Sequence, residues 1–417
     1  MPIASLLRLA DSVLARSGLL DRPLSAPRLI ARMAGPDGFG DIPFAEPLAR
    51  LLSACAAESA PSLVGRIATA WDARRFLGNL ARLATAEARD PAIRDEPIEA
   101  PIFITGLPRS GTSFLHRLLL EDPANQAPRV WQTIAPYQPE NGAPDRRIAQ
   151  VDRQLAAFAR LAPAFPGLHP LRATSPQECS EIGAHVFRSL RFDTTYHVPS
   201  YRAFLDADGQ LPAYRFERRF LQHLQHQGNA GTAPGTAPRR WVLKCPDHVF
   251  ALGDLRAAFP DARLVFVHRD PVSVVLSVAR LTEVLRRPFT RHIDRQAIGR
   301  HEAARWHDGA ALMMRAATDR RICHIHYDAL TADPIGAVRQ VYRHFGQRLS
   351  PTAEAAIARL AARQPNGGYA HEAYRFSDYG LDPAEERERF RAYTTFFDIA
   401  HEQGPPRRVA PALSRAA

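Results

Sequence analysis

PIFITGLPRSGTSFLHRLLLED, residues 101–122, is the stretch on which the reading of this chain turns. Ile102–Thr105 is a short apolar run of strand type, and SFLHRLLLED has the apolar spacing of a helix. Between them lie Gly106 and Gly111, at the separation of the two glycines in a Walker A loop. Glycines there let successive N–H groups converge on a phosphate at the start of the following helix. A Walker A loop continues with lysine, whereas Thr112 follows Gly111 here and the basic residue stands earlier, at Arg109. The loop therefore suits a 5′-phosphate group better than a triphosphate.

Outward from this unit, three further strands are predicted at Trp241–Lys244, Arg263–His268 and Ile322–Tyr327. Helical stretches at 247–258, 271–286 and 295–319 separate them. Strands alternating with helices predict an α/β fold, a P-loop-type parallel sheet flanked by helices on both faces. Residues 1–98 show helical periodicity broken by prolines, so a helical N-terminal cap is expected there, followed by an α/β domain over 99–400 and a tail over 401–417. The segment 125–227 reads as mostly helical. GNAGTAPGTAP, 228–238, reads as a surface loop, and 364–380 as a Gly- and Tyr-rich loop in which Gly367–Gly368 would suit a lid. No internal repeat is evident.

The chain has 417 residues, a formal charge of +11 and a pI near 10.0, which call for an anionic partner. Its arginines are scattered without a long basic run or zinc-finger spacing, so a small anion in one cleft is expected and nucleic acid is not. Lys244 is the only lysine, leaving 53 arginines among the 54 basic residues. Arginine replaces lysine freely on a solvated surface but not where a compact ammonium is needed, so Lys244 stands out. Four cysteines without CxxC or metal-ligand spacing point to a reducing compartment, the cytoplasm. The first twenty residues carry Arg8, Asp11 and Arg16 within an apolar pattern and read as an amphipathic helix, not a signal peptide. No run approaches the ~18 apolar residues of a transmembrane helix.

PIFITGLPRSGTSFLHRLL resembles the 5′-phosphosulfate loop of nucleotide-dependent sulfotransferases, especially the large bacterial type with a helical N-terminal cap. The resemblance continues through WVLKCPDHVFALGDL, LVFVHRDPVSVVLSVARL, YDALTADP and HEAYRFSDYGLD, and covers roughly residues 95–400. It implies 3′-phosphoadenosine 5′-phosphosulfate as sulfate donor, adenosine 3′,5′-bisphosphate as product, a hydroxyl acceptor and no metal. Arg109, Ser110, Gly111, Thr112 and Ser113 would then hold the 5′-phosphosulfate, with Phe114 against the adenine. Members often carry lysine where this chain has Arg109. Arg269, at the end of a predicted strand, and Ser277, eight residues on, match the family's 3′-phosphate pair; Tyr327 matches a tyrosine near the adenine. Arg375 is a weaker candidate for closing over the nucleotide.

For catalysis, Arg109 and Lys244 are the candidate cations over the leaving group. Three residues compete as base. His248 lies four residues after Lys244, one helical turn on. Glu178 and Glu181 lie at i, i+3 near a predicted helix start with Ser175 as its cap. His116 reads as structural. Two other functions stay open: a P-loop kinase or phosphotransferase, which would need a lysine after Gly111 and a magnesium carboxylate, and a non-catalytic nucleotide-binding protein. Carbohydrate, lipid and small aromatic alcohols are all open as acceptors, and the oligomeric state is unread.

Overall fold

A computed structural model of the chain describes residues 11–137, 145–229, 239–363 and 374–402. Five parallel strands form one sheet: β1 Ile102–Gly106, β2 Asn125–Gln126, β3 Arg240–Lys244, β4 Arg263–His268 and β5 Ile322–His326, in the order β2-β3-β1-β4-β5. Ile104 sits across from Lys244 on one side and Val265 on the other, which sets the ends of β3 and β4 beside the loop that leaves β1. The strands are apolar runs because both faces of a parallel sheet are covered.

Alternate side chains go to opposite layers, as the two-residue period of a strand requires. Ile102, Ile104, Val242, Val265 and Val267 pack with Phe114, Leu115 and Leu118 of the helix Thr112–Leu119 and with Val338, Val341 and Ile357 of later helices. Phe103, Leu243, Leu264 and Phe266 face the larger core on the other side. That core also holds Leu48, Leu51 and Leu52 of the helix Ala45–Glu58 and Phe76, Leu77, Leu80 and Leu83 of the helix Leu63–Arg89. The helical N-terminal region and the sheet thus share one packed interior.

The α/β architecture and the four expected strands are present. The fifth, β2, has only two residues, both polar, and is recruited by pairing with Arg240 and Trp241. Its Asn125 side chain also accepts from the Arg240 guanidinium at 2.6 Å. The helix expected over 247–258 is divided into a 3₁₀ turn, Pro246–Phe250, and a helix, Leu252–Ala258, with Ala251 outside helical geometry between them. The helix Leu211–Asn229 runs into the start of the expected loop at 228–238, the rest of which lies outside the described residues. Among the described residues no helix is long and apolar enough to cross a membrane.

The loop after β1 depends on two glycines. Gly106 has φ +138°, and a Cβ there would stand 2.3 Å from the Val267 carbonyl oxygen of β4. Gly111 has φ +91°, and its Cβ would reach 2.9 Å from the Tyr327 ring. Side chains other than glycine are excluded at both places by backbone conformation and by close approach. Gly106→Ala is therefore expected to cost about 3 kcal/mol of stability in thermal unfolding. Gly253→Ala, in a helix with open space around it, is the control and is expected to gain roughly 0.5–1 kcal/mol.

Candidate active site

A cavity of about 730 Å³ lies over the carboxyl ends of β1, β3 and β4. Pro108, Arg109, Gly111, Thr112, Ser113 and Phe114 line one wall. Gly111 is the N-cap of the helix Thr112–Leu119 and offers it no side-chain bond, so the first-turn N–H groups receive no cap from a side chain. Ser110 is fully buried beneath the loop, and its hydroxyl donates to the Leu107 carbonyl at 2.6 Å. Arg109 itself is in the left-handed region, φ +60°, which turns its side chain across the cavity. Its Nε donates to Ser277 Oγ at 3.0 Å and its guanidinium to the Leu168 carbonyl at 2.7 Å.

The second wall begins where β4 ends. Asp270 caps the helix Pro271–Arg286 by accepting from the Val272 N–H, and proline occupies the first turn, so strand, Arg269 and helix follow in a fixed geometry. Arg269 donates to the Arg109 carbonyl at 2.7 Å and lies over the Tyr327 ring, 4.2 Å from its centroid. The other edge of its guanidinium grips the Glu402 carboxylate through two bonds, 2.6 and 2.8 Å. Burial lowers the Arg269 pKa, but the pairing with Glu402 outweighs it and the net shift is upward. Arg109, Arg269, Ser277 and Tyr327, named from separate stretches of sequence, thus meet in one cavity.

The third wall carries the only lysine. Lys244, at the last position of β3 and almost wholly buried, is ion-paired with Glu178. Burial pushes the Glu178 carboxyl up, but the Lys244 ammonium, with His169 next, holds it below the usual carboxylate range. His169 lines the same cavity and is lowered to about 4, chiefly by burial. Glu178 is itself the N-cap of the helix Cys179–Gly183, so the expected capping by Ser175 does not occur. The Ser175 hydroxyl instead accepts from the Arg172 N–H.

Glu181 also lines the cavity but is held in a ring of charges. It accepts from Arg75 at 2.7 Å and Arg191 at 2.8 Å, and both arginines also bind Asp72. His248 lies elsewhere. Cys245 is still extended, φ −158°, and Pro246 opens a 3₁₀ turn, so the spacing from Lys244 is not one turn of an α-helix. The His248 ring contacts Phe103 edge-on, and its Nδ1 pairs with the Tyr214 hydroxyl at 2.8 Å. It lines a separate cavity of about 490 Å³ with Cys179, Glu217 and Cys245, and burial lowers its pKa to about 3. His116 is buried on the helix after the loop, its Nε2 2.9 Å from the Val242 carbonyl oxygen.

Several lining groups have no sequence signal. Glu402 belongs to a stretch expected to be tail, and Arg191, Thr194 and Thr195 to an unremarkable helix. Phe165, Leu171, Leu276, Leu281 and Leu285 form an apolar arm of the same cavity, assembled from two separate segments. Tyr374, Arg375 and Phe376 line the same cavity, while Gly367–Gly368, expected in a lid, lie outside the described residues.

Residues 101–351 match the model of the Sulfotransferase family. A curated relative from Mycobacterium tuberculosis, omega-hydroxy-beta-dihydromenaquinone-9 sulfotransferase Stf3, is 24% identical over 264 residues. That match takes in 60% of this chain and 63% of the relative, so the chain spans less than two thirds of the curated relatives it matches. The crystal structure of sulfotransferase STF1 from M. tuberculosis H37Rv is 29% identical, with a TM-score of 0.75, covering 88% of this chain and 99% of that one. Sulfotransferase STF9 from Mycobacterium avium is 26% identical, with a TM-score of 0.77, covering 90% and 97%.

The lowered pKa of Glu178 makes a stability prediction. The folded chain binds fewer protons there than the unfolded one, so this contribution is fully present above the ordinary value of 4.5 and is lost as pH falls through the folded value. Lys244→Met removes the chief group that opposes the burial of Glu178. The variant is expected to melt well below the wild type at neutral pH, with a deficit that shrinks on acidification below pH 4.5. Melting temperatures of both proteins across that range check this, and a deficit independent of pH would contradict it.

Proposed function

This chain belongs to the sulfotransferase family, and from that premise we propose that it transfers a sulfuryl group from 3′-phosphoadenosine 5′-phosphosulfate to the hydroxyl of an apolar, lipid-like acceptor. One observation carries the reading: the glycine loop, the Arg269–Ser277 pair, the Lys244–Glu178 pair and an apolar arm all line a single cavity. The residues fit the donor. The turn between Gly106 and Gly111 leaves the next helix without a side-chain cap, and Arg269 already holds the carboxylate of Glu402 through both edges of an oxyanion. The 5′ end would lie against Arg109, Thr112 and Ser113, the 3′-phosphate against Arg269 and Ser277, and the base near Phe114 and Tyr327. When bound, the donor supplies a sulfuryl group on a phosphate leaving group.

The protein's own part is positioning and charge, as in phosphoryl transfer. Lys244 is a compact ammonium at a strand end, suited to meet charge that develops on the leaving oxygen. Glu178 is the base in this reading. Paired with Lys244 it is too acidic to take a proton readily; as the ammonium turns toward the leaving group, the carboxylate loses its partner and gains basicity. His248 stays out of the proton's path because it faces the other cavity. The apolar arm, with Phe165 and Leu285, favours an acceptor with a hydrocarbon body over a carbohydrate. The Stf3 relative, named for a menaquinone hydroxyl, supports the same preference. Four free, buried cysteines support a reducing compartment, the cytoplasm.

Calorimetric titration with adenosine 3′,5′-bisphosphate, in the presence of a metal chelator, tests the reading. Binding is expected in the micromolar range, weakened about tenfold or more by Arg269→Ala. Failure of the bisphosphate to bind, with ATP and magnesium bound instead, would contradict it.

A further inference from the structure

The helix Leu63–Arg89 carries Ile67 and Trp71 four residues apart on one side, 59% and 43% exposed, beside a core in which most large apolar residues are covered. Val13, Leu19 and Leu161 are exposed as well. Contacts bring these residues to one end of the molecule. The Leu63 N–H donates to Asp11 of the helical turn 11–16, and Arg66 donates to the Leu20 carbonyl at 3.2 Å. The Ser62 N–H donates to the Phe289 carbonyl, and Phe289 stacks on Phe158, one turn before Leu161.

This face adjoins the acceptor arm. Phe158 packs edge-on against Phe165, which lines the arm, with ring centroids 5.0 Å apart. On the other flank the Trp71 ring lies 4.8 Å from the Arg75 guanidinium, which binds the cavity-lining Glu181. The face is also basic. Arg16, Arg22, Arg74 and Arg160 are exposed among the apolar residues, whereas the nearby Asp11 and Asp21 are each engaged by a neighbour, the Leu63 N–H and Arg291. Exposed Trp, Ile and Leu interleaved with arginines are the composition of a surface that rests in the headgroup layer of an anionic bilayer, with no helix needed to span it.

We propose that this face, centred on Ile67 and Trp71, docks the protein on an anionic lipid bilayer and sets the mouth of the apolar arm against it, so that a membrane-resident alcohol enters without crossing water. The inference rests on the lipid-like acceptor proposed above. It also gives the surplus of 11 positive charges a partner beyond the nucleotide.

The test is co-sedimentation of the full chain with vesicles of phosphatidylcholine, alone and mixed with phosphatidylglycerol. Binding is expected to the mixed vesicles, to fall with added salt, and to weaken at least about tenfold in Ile67→Glu/Trp71→Glu and in Arg16→Glu/Arg74→Glu. Both variants alter exposed positions and should keep the wild-type melting temperature and bisphosphate affinity. Vesicle binding that is absent, or equal in wild type and variants, overturns the proposal. So does loss of a dimer in Ile67→Glu/Trp71→Glu by analytical ultracentrifugation, which would make the face a contact between two copies. Bisphosphate binding is read separately, so a failed donor site is distinguished from a failed docking face.

Discussion

The pairing of Lys244 with Glu178 is the contact on which the site is organised. It joins the end of the sheet's β3 to the start of a short helix in the 145–229 region, closing one wall of the cavity. Burying the Lys244 charge with a half-buried carboxylate is costly, and an apolar pair of similar volume would commonly serve stability as well. Keeping the pair makes sense where the charges have another use. In a chain whose other Lys and Arg residues are all arginine, the one ammonium sits beside the loop after β1, through the pairing of Ile104 with Lys244.

Around that pair the other constraints are steric. Gly106 and Gly111 let the loop lie directly on β4 and on Tyr327, and this close approach brings Arg109 within reach of both Ser277 and the Arg269 wall. The N-terminal helices are built into the same interior as the sheet, and Asp72 and Arg75 of the helix Leu63–Arg89 hold Glu181 and Arg191 in a closed ring of charges at the cavity wall. Residues far from the glycine loop in sequence therefore shape the end of the cavity where an acceptor would lie.

What could be read from the sequence was local. The β1-loop-helix unit, the Arg269–Ser277 spacing and the buried strands are contiguous patterns, and each is where the reading placed it. The two-residue β2 is polar and exists only through its partner, so no periodicity marks it. The position of His248 turned on whether 244–248 continues as a helix, and one extended residue, Cys245, sends the ring into the second cavity. Glu178 and Glu181 looked equivalent at i, i+3, yet one meets Lys244 and the other Arg75 and Arg191, a distinction set largely by elements distant in sequence. Glu402 and the apolar arm are products of tertiary packing alone.

In the proposed reaction Lys244 and Glu178 would perform the chemistry while Arg269 and the glycine loop would bind the nucleotide. The most direct test is release of adenosine 3′,5′-bisphosphate from saturating donor in the presence of a long-chain primary alcohol, compared between wild type, Lys244→Ala and Glu178→Gln. The account predicts acceptor-dependent release by the wild type, a fall of roughly a hundredfold or more in each variant, and bisphosphate affinity preserved within a few fold. Full turnover by Lys244→Ala would contradict it.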